Sequence, residues 1–348
     1  MLTDIIQKKL KQLPDAPGIY KMLDAEGRVI YIGKSKCLKK RVSSYFAPEP
    51  KWEKAKKMSP FIRDMDYTVT DTHLEAMLLE CRLIKQIRPY FNVIMKSDEK
   101  YVYLELGTDR RKSPLAVSYT KTENSYGPVR SRRSLEEIVD SMQNLYPLEE
   151  REGEGIDFSY HLFPESLSEE RFLSNRRILQ KICENPSVMQ AFLRTVETHM
   201  HSAAEKQKFE MAVRYRDLAD KLRYLDKGLH AYRELTSRDI IYTVALEEGY
   251  KLFYIRNGLV IHSRKTTENS RRQRNRLIKE TEKTADGTEQ QISEKESVDY
   301  RSIVYSELSE ADEKAITYIG KSTADINRNE EPYEHKHGPE SENSKRYP

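Results

Sequence analysis

The chain has 348 residues, 60 of them basic and 56 acidic, with a formal net charge of +4 and a mean hydropathy of −0.79. A chain of this length has room for two or three domains, and its polar sequence, without an apolar run of about 20 residues, excludes a membrane-spanning protein. The three cysteines (Cys37, Cys81 and Cys183) are too scattered for a disulfide framework or a cysteine metal site, so we expect a cytoplasmic protein.

The first predicted element is a β-hairpin over residues 18–34. The segments "GIYKML" and "RVIYIGK" are rich in strand-forming residues, and "DAEG" between them predicts a turn at Gly27. A helix over about 36–46 follows, with apolar residues on one stripe and Ser35 in position to cap it.

The sequence Gly33-Lys34-Ser35 within this region resembles the end of a phosphate-binding P-loop. That motif requires another glycine five residues before Gly33, where this chain has Arg28. The intervening residues are β-branched or aromatic and indicate a strand. The P-loop interpretation therefore fails.

The next elements are a short strand, "DYTVT", and a helix that begins with the capping box "THLE" at 72–75. This helix is predicted to run to about Ile87, before Pro89. It carries Glu80 inside the nearly apolar run "AMLLECRLI". A carboxylate in such a run either binds a metal, lies at a wet edge, or pairs with an arginine such as Arg82 or Arg88.

The remaining elements follow less regular patterns. In chain order, we predict a strand at 101–106, an amphipathic helix at 135–145, a loop-rich stretch at 150–170, helices over 171–230 with a turn near 206–208, and two strands within 238–262. From about 265 the composition becomes strongly polar, which predicts flexibility.

The positive charge is concentrated at the N-terminal end of the chain. Residues 1–100 hold 20 Lys and Arg against 13 Asp and Glu, so the remainder is net negative. A basic domain favours nucleic acid as a partner over a purely solvated basic surface.

Two short motifs in the hairpin resemble the signature strands of the GIY-YIG nuclease superfamily. They are "GIY" at 18–20 and "YIG" at 31–33. The other positions of the superfamily pattern follow in order: Lys34, Arg41, Tyr45, Glu80 within "EAMLLECRLIK", and Asn92 within "RPYFN".

Longer segments are similar to the N-terminal half of the UvrC family. The strongest similarity covers 14–101 and 196–226, where "HMHSAAEKQKFEMAVRYRDLADKLRYL" resembles the UVR helical hairpin. UvrC proteins continue into ribonuclease-H-like and helix-hairpin-helix domains, which we do not expect in the polar remainder after 265. A second incision and an iron–sulfur cluster are therefore not expected.

The resemblance implies an α+β fold that begins with a small nuclease domain, a short sheet flanked by helices. The expected divisions are a nuclease domain at 1–96, a connecting α+β segment at 97–170, a helical region at 171–232 with the UVR-like hairpin at 196–230, a β-hairpin segment at 233–265, and a largely flexible tail at 266–348.

The resemblance also implies roles for individual residues. The expected catalytic residues are Tyr20, Tyr31, Gly33, Lys34, Arg41, Tyr45, Glu80 and Asn92. Glu80 would hold one Mg²⁺ or Mn²⁺, a hard cation that suits a carboxylate and water. The base would be Tyr31, with Tyr20 positioning, although the sequence does not separate the two. DNA would be contacted by Lys34, Lys36, Lys39, Lys40 and Arg41.

The implied partners are DNA and a UvrB-like protein, and no membrane. The UVR-like hairpin would bind the latter through Phe209, Glu210, Val213, Arg216 and Asp217, unless it is a plain two-helix unit packed on its own chain. The implied activity is a single incision in damaged DNA during nucleotide-excision repair. The alternatives are a catalytically silent DNA- and UvrB-binding adaptor, and a stand-alone GIY-YIG endonuclease of a mobile or restriction type.

Overall fold

The computed structural model describes residues 4–47, 52–107, 114–151, 155–163, 167–285 and 292–319. No helix in these ranges is both long and apolar enough to cross a membrane. The fold is α+β, as the sequence predicts.

Helices and strands alternate at the N-terminal end and separate into helical and β regions later. The helices of the described residues are α1 (Asp4–Gln12), α2 (Leu38–Ser43), α3 (Glu53–Met58), α4 (His73–Ile87), α5 (Arg132–Met142), α6 (Glu169–Glu184), α7 (Pro186–Glu205), α8 (Phe209–His230), α9 (Arg233–Ser237), α10 (Arg271–Ala285) and α11 (Glu294–Glu310), with 3-10 turns at Ser59–Phe61 and Glu313–Ala315. The strands are β1 (Gly18–Leu23), β2 (Val29–Ser35), β3 (Asp64–Val69), β4 (Val102–Leu106), β5 (Leu115–Ser118), β6 (Ser125–Val129), β7 (Leu145–Arg151), β8 (Gly155–Tyr160), β9 (Asp239–Ala245), β10 (Tyr250–Arg256), β11 (Leu259–Thr266) and β12 (Ile316–Ile319).

The first sheet is antiparallel, with the strand order β2-β1-β3. The predicted hairpin is present, and Gly27 takes the positive φ of 75° that its turn requires. Strand pairing sets Tyr20 directly opposite Gly33, which brings the two signature motifs together. Helix α4 packs on β1 and β2 and begins with the predicted capping box between Thr72 and Glu75.

Helix α2 is shorter than the helix predicted over 36–46. It covers Leu38–Ser43, and Cys37 rather than Ser35 precedes it. Ser35 is the last residue of β2, where its hydroxyl accepts a hydrogen bond from the Cys37 amide at 2.9 Å and donates one to the Cys37 carbonyl. The serine therefore organises the turn before the helix and does not cap the helix itself.

The loop-rich stretch expected at 150–170 is wrong in part. Strands β7 and β8 pair there as a two-stranded antiparallel sheet, beside a separate sheet of order β5-β4-β6. The charged residues of β7 conceal the strand in the sequence. Leu145 and Leu148 of β7 belong to one buried cluster with Ile156 and Phe158 of β8, which residues of α6 and α7 also join. The helix predicted at 135–145 begins earlier, at Arg132, after the capping residue Ser131.

The helical region contains three long helices. Helices α7 and α8 form an antiparallel hairpin around the turn predicted near 206–208. Phe192 and Val196 of α7 and Leu218 and Leu222 of α8 belong to the large core that also covers β7 and β8.

The sequence predicts two strands within 238–262, but the structure has three, β9, β10 and β11. Strand β12 completes a sheet of order β11-β10-β9-β12. The prediction of a largely flexible tail from 266 is also wrong for the described residues of that segment, which include β12 and helices α10 and α11. Among the side chains of the polar helix α10 that the structure describes, only Leu277 and Thr281 are fully buried, and α11 buries Ser297 and Asp299 beside Val304. Their short apolar stripes explain why composition alone suggested flexibility. Residues 320–348 lie outside the described residues.

Helix α4 joins the first sheet to this C-terminal sheet. Its apolar residues Leu74, Met77 and Cys81 pack in one cluster with residues of β9, β10 and α11. Buried charges reinforce this contact. The side chain of Asp299 in α11 is fully buried. It forms ion pairs with Lys85 of α4 at 2.8 Å and with Arg130 at 2.9 Å.

Candidate active site

Three tyrosines form the centre of the site. The hydroxyl groups of Tyr20 and Tyr45 are 2.8 Å apart and share a hydrogen bond. The ring of Tyr31 lies 6.1 Å from that of Tyr20 and 6.2 Å from that of Tyr45, centroid to centroid. Tyr20 and Tyr45 are buried, and Tyr31 is partly exposed. Tyr31 is therefore the phenol of the three that can reach a solvent molecule.

Burial raises the pKa of Tyr31 well above its usual range, and the neighbouring phenol of Tyr45 raises it further. Burial has the same effect on the pKa of Tyr20. The Arg41 guanidinium opposes both shifts. Both phenols keep their protons at neutral pH unless more positive charge comes close.

Gly33 has no side chain where the Tyr20 phenol needs space. A Cβ built on Gly33 would lie 2.4 Å from the Tyr20 hydroxyl oxygen, which is closer than any real contact. The signature glycine therefore lets the tyrosine of the neighbouring strand lie flat against the backbone of β2.

Glu80 lies on α4 opposite β2 and contacts Lys34 twice. The Lys34 amide donates a hydrogen bond to Oε1 at 3.1 Å, and its Nζ donates one to Oε2 at 3.4 Å. The Glu80 side chain is only 12% exposed. Arg82 and Arg88 were candidate partners of Glu80 from the sequence. Both arginines are exposed, and the basic residue that contacts Glu80 in the structure is Lys34.

Asn92 braces β2 between Tyr31 and Gly33. Its side chain donates to the Ile32 carbonyl and accepts from the Ile32 amide, both at 2.9 Å, and it is buried. Two hydrogen bonds to one backbone residue fix the strand at the point where it carries the site.

Arg41 points from α2 toward the tyrosines. Its guanidinium carbon lies 5.5 Å from the Tyr45 ring centroid and 4.0 Å from that of Trp52. Lys54 of α3 approaches from the same side, with Nζ 4.9 Å from the Tyr31 ring centroid. Sequence reasoning assigned no role to Trp52 or Lys54. The available signal was that the only tryptophan of the chain lies within a cluster of lysines.

The other predicted DNA-contacting lysines lie on the surface around the site. Lys36, Lys39 and Lys40 are exposed, and Lys39 lies 3.8 Å from Asp15. The residues of the UVR-like hairpin that were predicted to bind a partner protein are distant in sequence from these lysines and belong to α8. Among them, Phe209 is 65% exposed and Val213 is 43% exposed.

Parts of this chain are similar in sequence to known proteins. The sequence model of the UvrC-like GIY-YIG domain matches residues 16–93. The UvrABC system protein C of Acetivibrio thermocellus is 32% identical over 279 residues, which are 74% of this chain and 44% of that protein. The corresponding protein of Oenococcus oeni is 29% identical over 284 residues, 77% of this chain and 46% of that protein. The chain thus spans less than half the length of these curated relatives.

One solved structure is also similar. It is the GIY-YIG N-terminal endonuclease domain of UvrC from Thermotoga maritima bound to magnesium, its catalytic divalent cation. It is 36% identical and matches 26% of this chain and 99% of that domain, with a TM-score of 0.24. The match at residues 16–93 contains the three tyrosines, Arg41, Glu80 and Asn92. Residues 16–93 of this chain are therefore similar to the UvrC-like GIY-YIG domain whose model they match.

Proposed function

We propose that this chain is a metal-dependent DNA endonuclease that hydrolyses one phosphodiester of damaged DNA during nucleotide-excision repair. The proposal rests on one cluster of side chains. It contains the three tyrosines, of which Tyr31 is partly exposed, together with Arg41 and the Lys34–Glu80 pair. The names of its relatives, UvrABC system protein C, support the repair context.

The chemistry of Glu80 fits a divalent cation. The described residues contain no group of three or more His, Cys, Asp or Glu side chains that could hold a metal ion. Glu80 would hold the ion with water completing its coordination, which suits Mg²⁺ or Mn²⁺ because such hard cations keep several waters. Its Oε2 has only a long contact to the flexible Lys34 side chain, so it has room for another partner. A cation bound there would supply positive charge beside Tyr31 and the leaving oxygen.

Tyr31 is the proposed base because it is the partly exposed member of the three tyrosines. It would accept a proton from the attacking water once added positive charge lowers its pKa, which burial and the neighbouring Tyr45 phenol raise. Lys34 would orient the water, and Arg41 would neutralise the scissile phosphate. Tyr20, held by Tyr45 and by Gly33, would keep the Tyr31 ring in place. Lys36, Lys39 and Lys40 would contact the flanking backbone of the DNA.

The hairpin of α7 and α8 is the proposed docking site for a UvrB-like protein. Phe209 and Val213 leave apolar surface exposed at the start of α8, and Glu210, Arg216 and Asp217 lie beside them. Arg216 and Asp217 pair with each other at 2.8 Å, which leaves them at the polar rim of such an interface.

The decisive experiment measures incision of a lesion-containing duplex with Mg²⁺, with and without preloaded UvrB. We expect the wild type to cut once when UvrB is present, and Glu80→Gln to lose about 100-fold or more in rate. Glu26→Gln is the matched control, because Glu26 is an exposed carboxylate at the hairpin turn. No cleavage by the wild type would contradict the proposal and favour the silent adaptor.

Docking is tested separately by pull-down with UvrB. We expect Phe209→Ala to weaken capture by about tenfold, as truncation of an interface anchor does. Leu173→Ala on α6 is the control, because Leu173 is another exposed apolar residue at 52%. Sequence-specific cleavage that ignores UvrB would instead favour a stand-alone GIY-YIG endonuclease.

A further inference from the structure

Helix α3 carries two site residues that the proposed mechanism does not use. Trp52 directly precedes the helix, and Lys54 is in its first turn. The Arg41 guanidinium carbon lies 4.0 Å from the Trp52 ring centroid, closer than to the Tyr45 ring at 5.5 Å. The rings of Tyr45 and Trp52 are themselves 5.9 Å apart. Arg41 is thus held on an aromatic surface that two separate elements provide.

Lys54 faces the reacting centre. Its ammonium group lies 4.9 Å from the ring centroid of Tyr31, the partly exposed phenol. Loss of hydration lowers the pKa of Lys54, the Glu80 carboxylate opposes this shift, and Lys96 adds to it. Lys54 therefore interacts with Glu80 and Lys96 as well as with Tyr31.

The position of Lys54 is fixed by the core beneath it. Ala55 and Met58 of the same helix are fully buried in the cluster that contains Tyr20 and Tyr45. Lys56 lies elsewhere on the helix and pairs with Glu53 at 3.2 Å. The helix thus presents one lysine to the site, while Lys57 remains on its exposed surface.

The charges around the site favour an anion larger than one carboxylate. Lys34, Arg41 and Lys54 surround the tyrosines, and Glu80 is the carboxylate that meets them. A polynucleotide backbone offers a negative charge at every phosphodiester, so two neighbouring phosphates match this excess of cations.

We propose that α3 is the phosphate-facing wall of the site, where Lys54 binds a phosphodiester oxygen of DNA beside Tyr31 and Trp52 positions Arg41. This inference rests on the proposed nuclease function but concerns DNA binding, which can be measured without cleavage. Lys54 is the contact residue, and Trp52 acts only through Arg41.

The first test uses the fluorescence of Trp52, the only tryptophan of the chain. The full chain is titrated with a short DNA duplex in EDTA at several salt concentrations. We expect a saturable change in emission, because the duplex meets the Arg41 side chain that covers the ring. Emission that does not respond to bound DNA, with binding verified by anisotropy of a labelled duplex, would overturn the proposal.

The second test compares Lys54→Gln with Lys57→Gln. The two variants remove the same charge from the same helix, and both positions are exposed, so folding is preserved. We expect Lys54→Gln to reduce the slope of log affinity against log salt by about 0.9, the value for one phosphate contact. Lys57→Gln should retain most of the wild-type slope. Equal slopes in the two variants would overturn the role of Lys54.

The third test separates positioning from packing at Trp52. Trp52→Phe keeps a ring under Arg41, and Trp52→Leu keeps only apolar bulk. We expect Trp52→Leu to weaken duplex binding by about tenfold and Trp52→Phe to restore most of it. Equal losses in both variants would assign Trp52 to packing alone and contradict the proposal. Because all three tests read binding, a wild type that binds DNA but does not cut would reject only the nuclease function.

Discussion

The hydroxyl of Tyr20 lies against the backbone of Gly33 in the neighbouring strand, at the place where any other residue would carry its Cβ. The two residues belong to the two signature motifs, so the pairing of β1 and β2 builds the site directly. Their contact explains why the second motif ends in glycine. It also makes this position sensitive to the smallest substitution.

Gly33→Ala should destabilise the protein by about 1–3 kcal/mol, because the added methyl group displaces a fully buried phenol. The same displacement should abolish incision. Urea unfolding followed by circular dichroism measures the first effect. Gly228→Ala is the control, since its Cβ would meet Val129 at an ordinary 3.7 Å. Equal stability of Gly33→Ala and the wild type would contradict the observed contact.

Tyr31→Phe and Tyr20→Phe should differ in which property they change. Tyr31→Phe removes the hydroxyl of the proposed base, so we expect kcat to fall about 100-fold or more with little change in stability. Tyr20→Phe breaks the buried hydrogen bond to Tyr45, which should cost about 1 kcal/mol of stability. Single-turnover incision and thermal unfolding measure the two effects. A larger rate loss in Tyr20→Phe than in Tyr31→Phe would exchange their proposed roles.

Asn92→Ala should destabilise the protein by about 2–4 kcal/mol, because it leaves both the amide and the carbonyl of Ile32 without their buried partner. Asn92→Asp keeps the acceptor but places a carboxylate oxygen against the Ile32 carbonyl, so it should not restore stability. Chemical unfolding of the two variants tests this. Full recovery in Asn92→Asp would show that the donated hydrogen bond is dispensable.

Asp299→Asn should cost about 3–5 kcal/mol, since it leaves Lys85 and Arg130 facing a neutral group at a buried position. Asp98→Asn is the matched control. Asp98 also approaches Lys85, at 3.8 Å, but is partly exposed. Thermal unfolding compares them, and similar losses in both variants would refute the importance of the buried pair. Limited proteolysis should additionally show earlier cleavage around α11 in Asp299→Asn.

Asp71 should contribute to resistance against acid. Hydrogen bonds from Lys251 and then Lys265 hold the pKa of its carboxyl below the usual value, so the unfolded chain binds the proton more tightly. The stabilisation is present above the unfolded pKa of about 3.9 and is lost as pH falls through the lower folded value. Asp71→Asn should therefore show a flatter decline of stability below about pH 4.

The measurement is urea unfolding as a function of pH. Asp220→Asn on the exposed surface of α8 serves as the control, because it also removes one carboxylate. A decline in Asp71→Asn as steep as that of the wild type would contradict the contribution of this ion pair.

Local patterns in the sequence determined much of the structure of residues 16–93. The hairpin, the capping box at Thr72 and the end of α4 before Pro89 depend on hydrogen bonds between residues close in the chain. The order of the signature residues was sufficient to predict the tyrosines, Arg41, Glu80 and Asn92 as candidates. It did not predict that Lys34 would be the partner of Glu80.

Other features depended on contacts between distant segments. The apolar run around Glu80 looked like an environment hostile to a carboxylate, but much of it faces β9, β10 and α11, while Glu80 meets Lys34 of β2. The polar segment after 265 folds against that same side through a buried aspartate. Composition underestimates such contacts because it counts charges without their partners.

The sequence by itself determined the similarity of residues 16–93 to the UvrC-like GIY-YIG domain, the α+β class and the hairpin that carries Tyr20 and Tyr31. Only the tertiary structure decided which cations face the site, because α3 is anchored by Ala55 and Met58 in a core built from separate strands and helices. Periodicity reports which side of an element is buried, but not which other element covers it. For that reason, only the folded structure shows that Lys54 and Trp52 lie beside Tyr31 and Arg41.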